Sequence, residues 1–307
     1  MTTKIKVVGV GGSGSNAISR MAKCKIKGVE LIAINTDAQD LAKTRANLKI
    51  RIGRKITQGL GTGMNPEIGK KSALENRQEI LESLKGADMI FITCGMGGGT
   101  GTGVSPVVAE VAKEVGALTL AVVTTPFSFE GQVRKRVADS GIRKLKEKVD
   151  TLISISNDKL LSTLDPSTPL LSTFWVCDDT LRQAVQGISD LIILPGIINV
   201  DFADVRAVMQ NAGSALFGVG RAQGEDRAVR AAMSAINSPL LDLSMKGAKG
   251  VLFNVSGGKD ISLSEIDEVA KVITQEINPE AKIIFGAVQN EKLKQGEIKV
   301  TLIATGF

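Results

Sequence analysis

The sequence predicts an α/β protein: a Rossmann-like parallel sheet covered on both faces by helices, then a long central helix and a smaller C-terminal α/β domain. Three observations carry this. Short apolar runs alternate with amphipathic segments through the first half of the chain. Glycine-rich turns at 9–14 and 95–103 each follow an apolar run and precede a helical one. The last hundred residues change to runs of strands with two covering helices.

Strands are expected at 5–8, 30–35, 49–52, 89–93, 118–123 and 152–155, each short, apolar and bounded by turn residues. Between them, helical periodicity marks 16–21, 67–84, 107–115 and 130–148. A long helix is expected over 178–191, opened by an N-cap-like Asp178-Asp179 and ended by Pro195-Gly196. Helices at 203–210, 227–235 and 265–276 and strands at 215–219, 250–255, 283–288 and 298–304 follow. The chain therefore divides into a first domain, 1–177, a central helix, 178–196, and a second domain, 197–307.

Composition narrows the chemistry. With 307 residues, 43% of them apolar and 23% charged, the chain is that of a soluble globular protein with two cores. No apolar run is long enough to span a membrane and no signal peptide opens the chain, so a cytoplasmic protein without direct membrane insertion is expected. The cysteines Cys24, Cys94 and Cys177 are odd in number and far apart, which argues against disulfides and structural zinc and for small core or pocket residues. There is no histidine and no tyrosine. That removes Ser-His-Asp and Cys-His chemistry and histidine-ligated metals, leaving carboxylates, backbone N–H groups, Lys/Arg and a phosphate-bound cation. Net charge is +6, and its densest runs (134–136, 143–148) fall on one expected helix, as on a solvated face. With few aromatics, a nucleic-acid partner has little support.

The two glycine turns carry the function. Six glycines in nine residues at 95–103 let the backbone turn several N–H groups to one point, and a helix N-terminus adds partial positive charge. Thr100 and Thr102 can add hydroxyl donors. A flexible linker would not sit between an apolar strand and an apolar helix. The first turn fits G-x-G-x-x-G at Gly9, Gly11 and Gly14, with Asp37 placed as a ribose carboxylate, so a dehydrogenase competes. That class leaves the second cradle, about 85 residues later, unexplained; two phosphate-directed turns on one sheet suit a nucleoside triphosphate. Neither turn has a Walker A lysine.

These residues resemble a known family. The 95–103 turn matches the tubulin-type signature G-G-G-T-G-[ST]-G. Asn35-Thr36-Asp37-Ala38, Asn65-Pro66-Glu67, the 126–131 run and Asn157-Asp158-Lys159-Leu160 also fit, as do 181–190 and Asn199-Val200-Asp201-Phe202-Ala203-Asp204. Over essentially the whole chain the sequence is similar to the tubulin/FtsZ family, the polymerising GTPases of bacterial cell division.

The resemblance implies a GTP-binding domain, a central helix and a GTPase-activating domain, with subunits stacking head to tail. It implies that Gly12, Ser13, Gly14, Ser15 and Asn16 form the first phosphate and base loop. Gly95, Gly97, Gly98, Gly99, Thr100, Gly101, Thr102 and Gly103 become the phosphate cradle. Glu130 and Arg134 sit by ribose and phosphates, while Asn157, Phe174 and Asp178 frame the base; Gly11, Asn35, Gly63 and Pro126 join the same site. A carboxylate can accept from guanine N1–H and N2–H₂ together, whereas adenine offers no such pair. Taken alone, Asp178 reads as a helix N-cap. Asp201 and Asp204, three apart, read by themselves as charges at a helix N-terminus. In the family they enter the neighbouring subunit's nucleotide site and, with Asn199, position the attacking water and a cation.

GTP or GDP with Mg²⁺ held mainly by phosphates, and a monovalent K⁺ or Na⁺, are the implied cofactors, and no metal is held by side chains alone. The implied partner is another copy of the chain, at the division site. The family's flexible linker and terminal peptide have no counterpart here, which leaves truncation or a different way of recruiting division proteins. Ser13 and Ser15 stiffen the first loop, Met64 stands where a small residue is usual, and Cys177 replaces a common Ala. A nucleotide-bound filament or regulator with little turnover is the alternative function. Gly101→Val is expected to abolish nucleotide binding and spare the fold, as a change in a loop outside the core.

Overall fold

A computed structural model describes residues 3–26, 28–238, 245–290 and 293–307. The chain divides into two compact units, Met1–Gln186 and Gly187–Phe307.

The first unit begins with β1 (Ile5–Val10), α1 (Gly11–Lys23), β2 (Val29–Asn35), α2 (Ala38–Lys43), β3 (Leu48–Arg51) and α3 (Arg54–Thr57). It continues through α4 (Pro66–Glu75), α5 (Arg77–Leu84), β4 (Met89–Gly95), α6 (Gly99–Glu114) and β5 (Leu118–Thr125). α7 (Gln132–Lys146), β6 (Thr151–Ser156), α8 (Asn157–Leu161) and the start of α9 (Leu170–Ile193) follow. Its strands are parallel in the order β3-β2-β1-β4-β5-β6. Successive residues of β4 and β5 are buried almost without interruption, as they must be when helices cover both faces. Val8, Ile32, Ile92, Val108 and Ala121 form part of one continuous core.

Several expected elements change in extent. The helix expected over 67–84 is two helices that meet at Asn76, which has φ −109° and ψ 21°. Its side chain is committed elsewhere: Oδ1 accepts from Gly53 N (3.0 Å) and Nδ2 donates to Glu79 Oε2 (2.8 Å). The 130–148 helix starts later, because Gly131 takes φ +97° between a 3-10 turn (Ser128–Glu130) and α7. The central helix begins eight residues before Asp178, at Leu170, where Pro169 opens it and accepts from Thr173 N (3.0 Å). Asp178 is thus a mid-helix residue and not an N-cap.

The second unit contains α10 (Phe202–Met209), β7 (Gly213–Gln223), α11 (Arg227–Ile236), β8 (Gly250–Gly257), α12 (Leu263–Gln275), β9 (Lys282–Gln289) and β10 (Glu297–Thr305). Its strands run in the order β7-β10-β8-β9, with only β8 and β9 parallel. The alanines Ala228, Ala231, Ala232 and Ala235 put one face of α11 onto the core with Phe253, Val300 and Leu302. Arg227 ties α11 to α12, donating from Nε to Glu265 Oε1 (2.5 Å) and from Nη1 to Asp260 Oδ2 (2.6 Å).

Candidate functional site

The strand order reverses direction between β1 and β4, so the turns leaving these neighbouring strands open a crevice at their carboxyl ends. Both glycine turns fall there. Neither is a free loop: α1 starts at Gly11 and α6 at Gly99, well before the 16–21 and 107–115 segments expected to be helical. At both starts the N-cap residue, Val10 or Gly98, makes no side-chain cap bond. Their leading N–H groups are therefore left to a ligand or water, with two helix dipoles behind them. The turns touch: a side chain on Gly11, which has φ +70°, would stand 3.1 Å from Gly101 N.

The crevice is a cavity of about 450 Å³. Its first wall carries Gly11, Gly12, Ser13 and Asn16; the second, Gly95, Gly98, Gly99, Thr100 and Gly101. Pro126, Glu130 and Arg134 line it from the β5–α7 side, and Asn157, Phe174 and Asp178 close the far end. The other expected residues do not line it. Gly14 lets α1 lie on the sheet, since a Cβ there would fall 2.6 Å from Thr93 O. Ser15 is buried with an unpartnered Oγ. Asn35 donates to Asp40 Oδ2 (2.7 Å) and accepts from Asp37 N (3.2 Å). Gly63 lies one residue past Thr62, whose side chain does reach the cavity.

Thr102 corrects an expectation. It is 4% exposed and does not line this cavity, and its Oγ1 accepts from Gly97 N (2.9 Å), so it braces the cradle from outside the ligand space. Gly103 faces α4, where a side chain would strike the Pro66 carbonyl. Thr100 keeps its expected position and shares hydroxyl contacts with Thr36 (2.7 Å) and Thr62 (3.3 Å). Asp37, the supposed ribose carboxylate, instead caps α2, accepting from Gln39 N (2.9 Å) and Asp40 N (3.0 Å). That removes the residue on which a dehydrogenase reading leaned. Asn199, Asp201 and Asp204 belong to the second unit: Asn199 Oδ1 accepts from Gly196 N (2.7 Å), and the two aspartates are exposed at the start of α10.

The far end is chemically distinct. Burial pushes the Asp178 carboxyl up to about 6, against the pull of Arg20, whose Nη2 donates to Oδ2 (3.2 Å). Trp175 stacks on that guanidinium at 5.2 Å. Asn157 Oδ1 is buried without a partner, and Phe174 meets Phe127 edge to face at 5.5 Å. The sequence carries one sign of Arg20: it follows Asn16 by four residues, one helical turn along the same face of α1. Cys177 lines the cavity and Cys94 lies in the core, both thiols pushed up to about 12 by burial, while Cys24 is exposed, contrary to its expected place. A flat apolar and polar end, joined to a cradle of backbone N–H groups, defines a nucleotide-binding α/β protein of the glycine-turn kind, without a Walker lysine.

A family model for the tubulin/FtsZ GTPase domain matches residues 4–165, and one for the FtsZ C-terminal domain matches 213–307. An FtsZ dimer from M. jannaschii, described as empty, is 49% identical, with a TM-score of 0.96 over 100% of this chain and 89% of that one. The W319Y mutant of M. jannaschii FtsZ is also 49% identical, with a TM-score of 0.95 over 99% and 91%. CetZ2 from Haloferax volcanii, a GTPγS-bound protofilament, shares the fold at 20% identity, with a TM-score of 0.81 over 98% and 92%. The chain belongs to the tubulin/FtsZ family and, in both of its domains, to the FtsZ line within it: a polymerising GTPase of cell division.

Proposed function

We propose that the cavity binds GTP and that hydrolysis requires two subunits. The guanine would lie at the far end, read by Asp178 and Asn157 against Phe174, with the phosphates on the glycine turns of α1 and α6. The orphaned Asn157 Oδ1 and the uncapped helix starts are the polar groups such a ligand would satisfy. Magnesium enters with the triphosphate, whose oxygens hold it, and offsets phosphate charge; the wall hydroxyls of Thr62 and Thr100 suit a hard cation. Among the described residues, no group of three His, Cys, Asp or Glu could hold a metal alone.

One observation carries the two-subunit reading. The acids on the cavity wall are both engaged: Glu130 accepts from Arg134 (2.5 Å) and Asp178 from Arg20. The cavity wall therefore offers no carboxylate without an arginine partner. The exposed Asp201 and Asp204 of a second copy, with Asn199, would supply the carboxylates that position water and a K⁺ or Na⁺ ion against the γ-phosphate. Water then attacks phosphorus, the bond to the β-phosphate oxygen breaks, and GDP and phosphate leave. Head-to-tail self-association is the partner this needs, a reading supported by the dimer and protofilament relatives; the place of action in this reading is the cytoplasm at the division site.

The test is GTP turnover per subunit across a dilution series, with light scattering recorded in parallel. Turnover should disappear where assembly disappears. A rate per subunit that stays constant below the assembly threshold would overturn the composite site. Near-zero turnover in assembled filaments would instead favour a structural filament.

A further inference from the structure

A second cavity, of about 470 Å³, lies in the first unit between α4, α6 and α7. It backs onto the phosphate cradle without opening into it, since its floor includes Thr102, the residue that holds Gly97 N. The sequence itself opens this floor. Pro106 sits inside α6 and has no N–H to give the carbonyl four residues back, which is that of Thr102. Gly103 contributes no side chain, and Val107 and Val137 make the walls apolar.

The rim is charged. Lys144 pairs with Glu67 (3.6 Å) and Lys148 with Glu110 (3.2 Å), tying α7 and the residues after it to α4 and α6. That leaves Lys70 and Arg136 on the rim against the single acid Glu147, a surplus of one positive charge. Neither Lys70 nor Arg136 pairs with any described residue. Ser140 adds a hydroxyl.

We propose that this cavity is a binding site for a small organic anion: a flat apolar body carrying a carboxylate and one N–H or O–H donor. The apolar walls take the body, Lys70 and Arg136 take the carboxylate, and the donor faces the carbonyl freed by Pro106. Such a ligand presses on Thr102 from behind and so reaches the cradle. α7 fits tightly there, because a side chain on Gly141 would meet Thr102 Cγ2. The site therefore couples an anionic effector to nucleotide affinity through a single buried threonine.

The probe is indole-2-carboxylate, titrated into GDP-saturated protein so that the nucleotide cavity is filled, with amide chemical shifts as the readout. Saturable shifts at residues 102–107 and 136–141, spreading to Gly97, are expected, together with a several-fold change in GDP off-rate. Neutral indole should bind at least tenfold more weakly. Lys70→Ala combined with Arg136→Ala should weaken the carboxylate at least tenfold; both residues are exposed, so the fold and GDP affinity should hold. Val137→Trp, which fills the cavity, should abolish the response while leaving the charges in place. Shifts confined to the nucleotide cavity, equal binding of indole, or full binding to the double variant would each overturn the proposal, as would no binding at millimolar probe.

Discussion

The Arg20 guanidinium lies 3.2 Å from the Asp178 carboxylate, joining residues 158 positions apart across the far end of the cavity. The pair holds a buried acid ready in its charged form, yet burial still outweighs the arginine and leaves the carboxyl titrating at about 6.

The first prediction concerns pH. In the proposed binding mode guanine donates to an ionised Asp178, so GDP affinity should fall as pH drops through 6. Asp178→Asn should remove that dependence and bind GDP weakly at every pH. Stability of the ligand-free protein should move the other way. The folded-state value lies above the ordinary 3.8, so folding takes up a proton between those limits, and this group's contribution rises as pH falls from 7 toward 4. A shift of this size corresponds to about 3 kcal/mol at most. Isothermal titration and urea unfolding of both proteins at pH 5 and 7.5 check the two signs.

Gly98 and Gly101 should behave oppositely when made valine. A Cβ on Gly98 meets nothing within 4 Å, and its φ of −90° and ψ of 169° suit a β-branched residue. Gly98→Val should therefore fill the cavity, cut GTP affinity by about 100-fold or more, the equivalent of some 3 kcal/mol, and keep the melting temperature. At Gly101 a Cβ would stand 2.5 Å from Gly95 O and 3.4 Å from Cys94 Cβ. Gly101→Val should destabilise the first unit by roughly 1–3 kcal/mol or more, so the expectation that it spares the fold is withdrawn. Thermal melts beside nucleotide titrations separate the pair.

Thr102→Val should strand the Gly97 N–H in a buried place, at a cost of about 1–3 kcal/mol. Thr102→Ser keeps the acceptor and should recover most of that loss. Amide exchange at Gly97, faster in the valine variant and slow in the serine one, is the direct measurement.

Asp204→Ala should leave GTP binding unchanged, because the residue is exposed and does not line the cavity of its own chain. Turnover in assembled protein should fall about 100-fold or more, as when a group acting in the transition state is lost. Filaments should persist after GTP addition, which light scattering will follow.

The strands were legible because their apolar runs are short and bounded by turns, and both glycine turns pointed to the cavity from composition alone. Helix extents were less so. Leu170, Leu171, Phe174 and Trp175 share one helical face on the first turns of α9, but that face is exposed and precedes Asp178-Asp179, which has the composition of a helix start. Asn76 breaks a helix through a bond to Gly53, 23 positions away, which no local pattern contains. Thr102 looked like a ligand donor because sequence does not say which side of a turn a hydroxyl faces. The triad Asn199, Asp201 and Asp204 came from family resemblance and not from spacing.

Trp175 is the chain's sole tryptophan, and there is no tyrosine. Its ring, half-exposed and resting on Arg20, is therefore the only indole that ultraviolet light can excite, and it stands beside the residue that grips Asp178. Any ligand that draws Arg20 aside alters the quenching of that one fluorophore. The chain thus carries one optical reporter beside the cavity: excited to the red of the phenylalanine bands, that single ring should register nucleotide occupancy and exchange without a label.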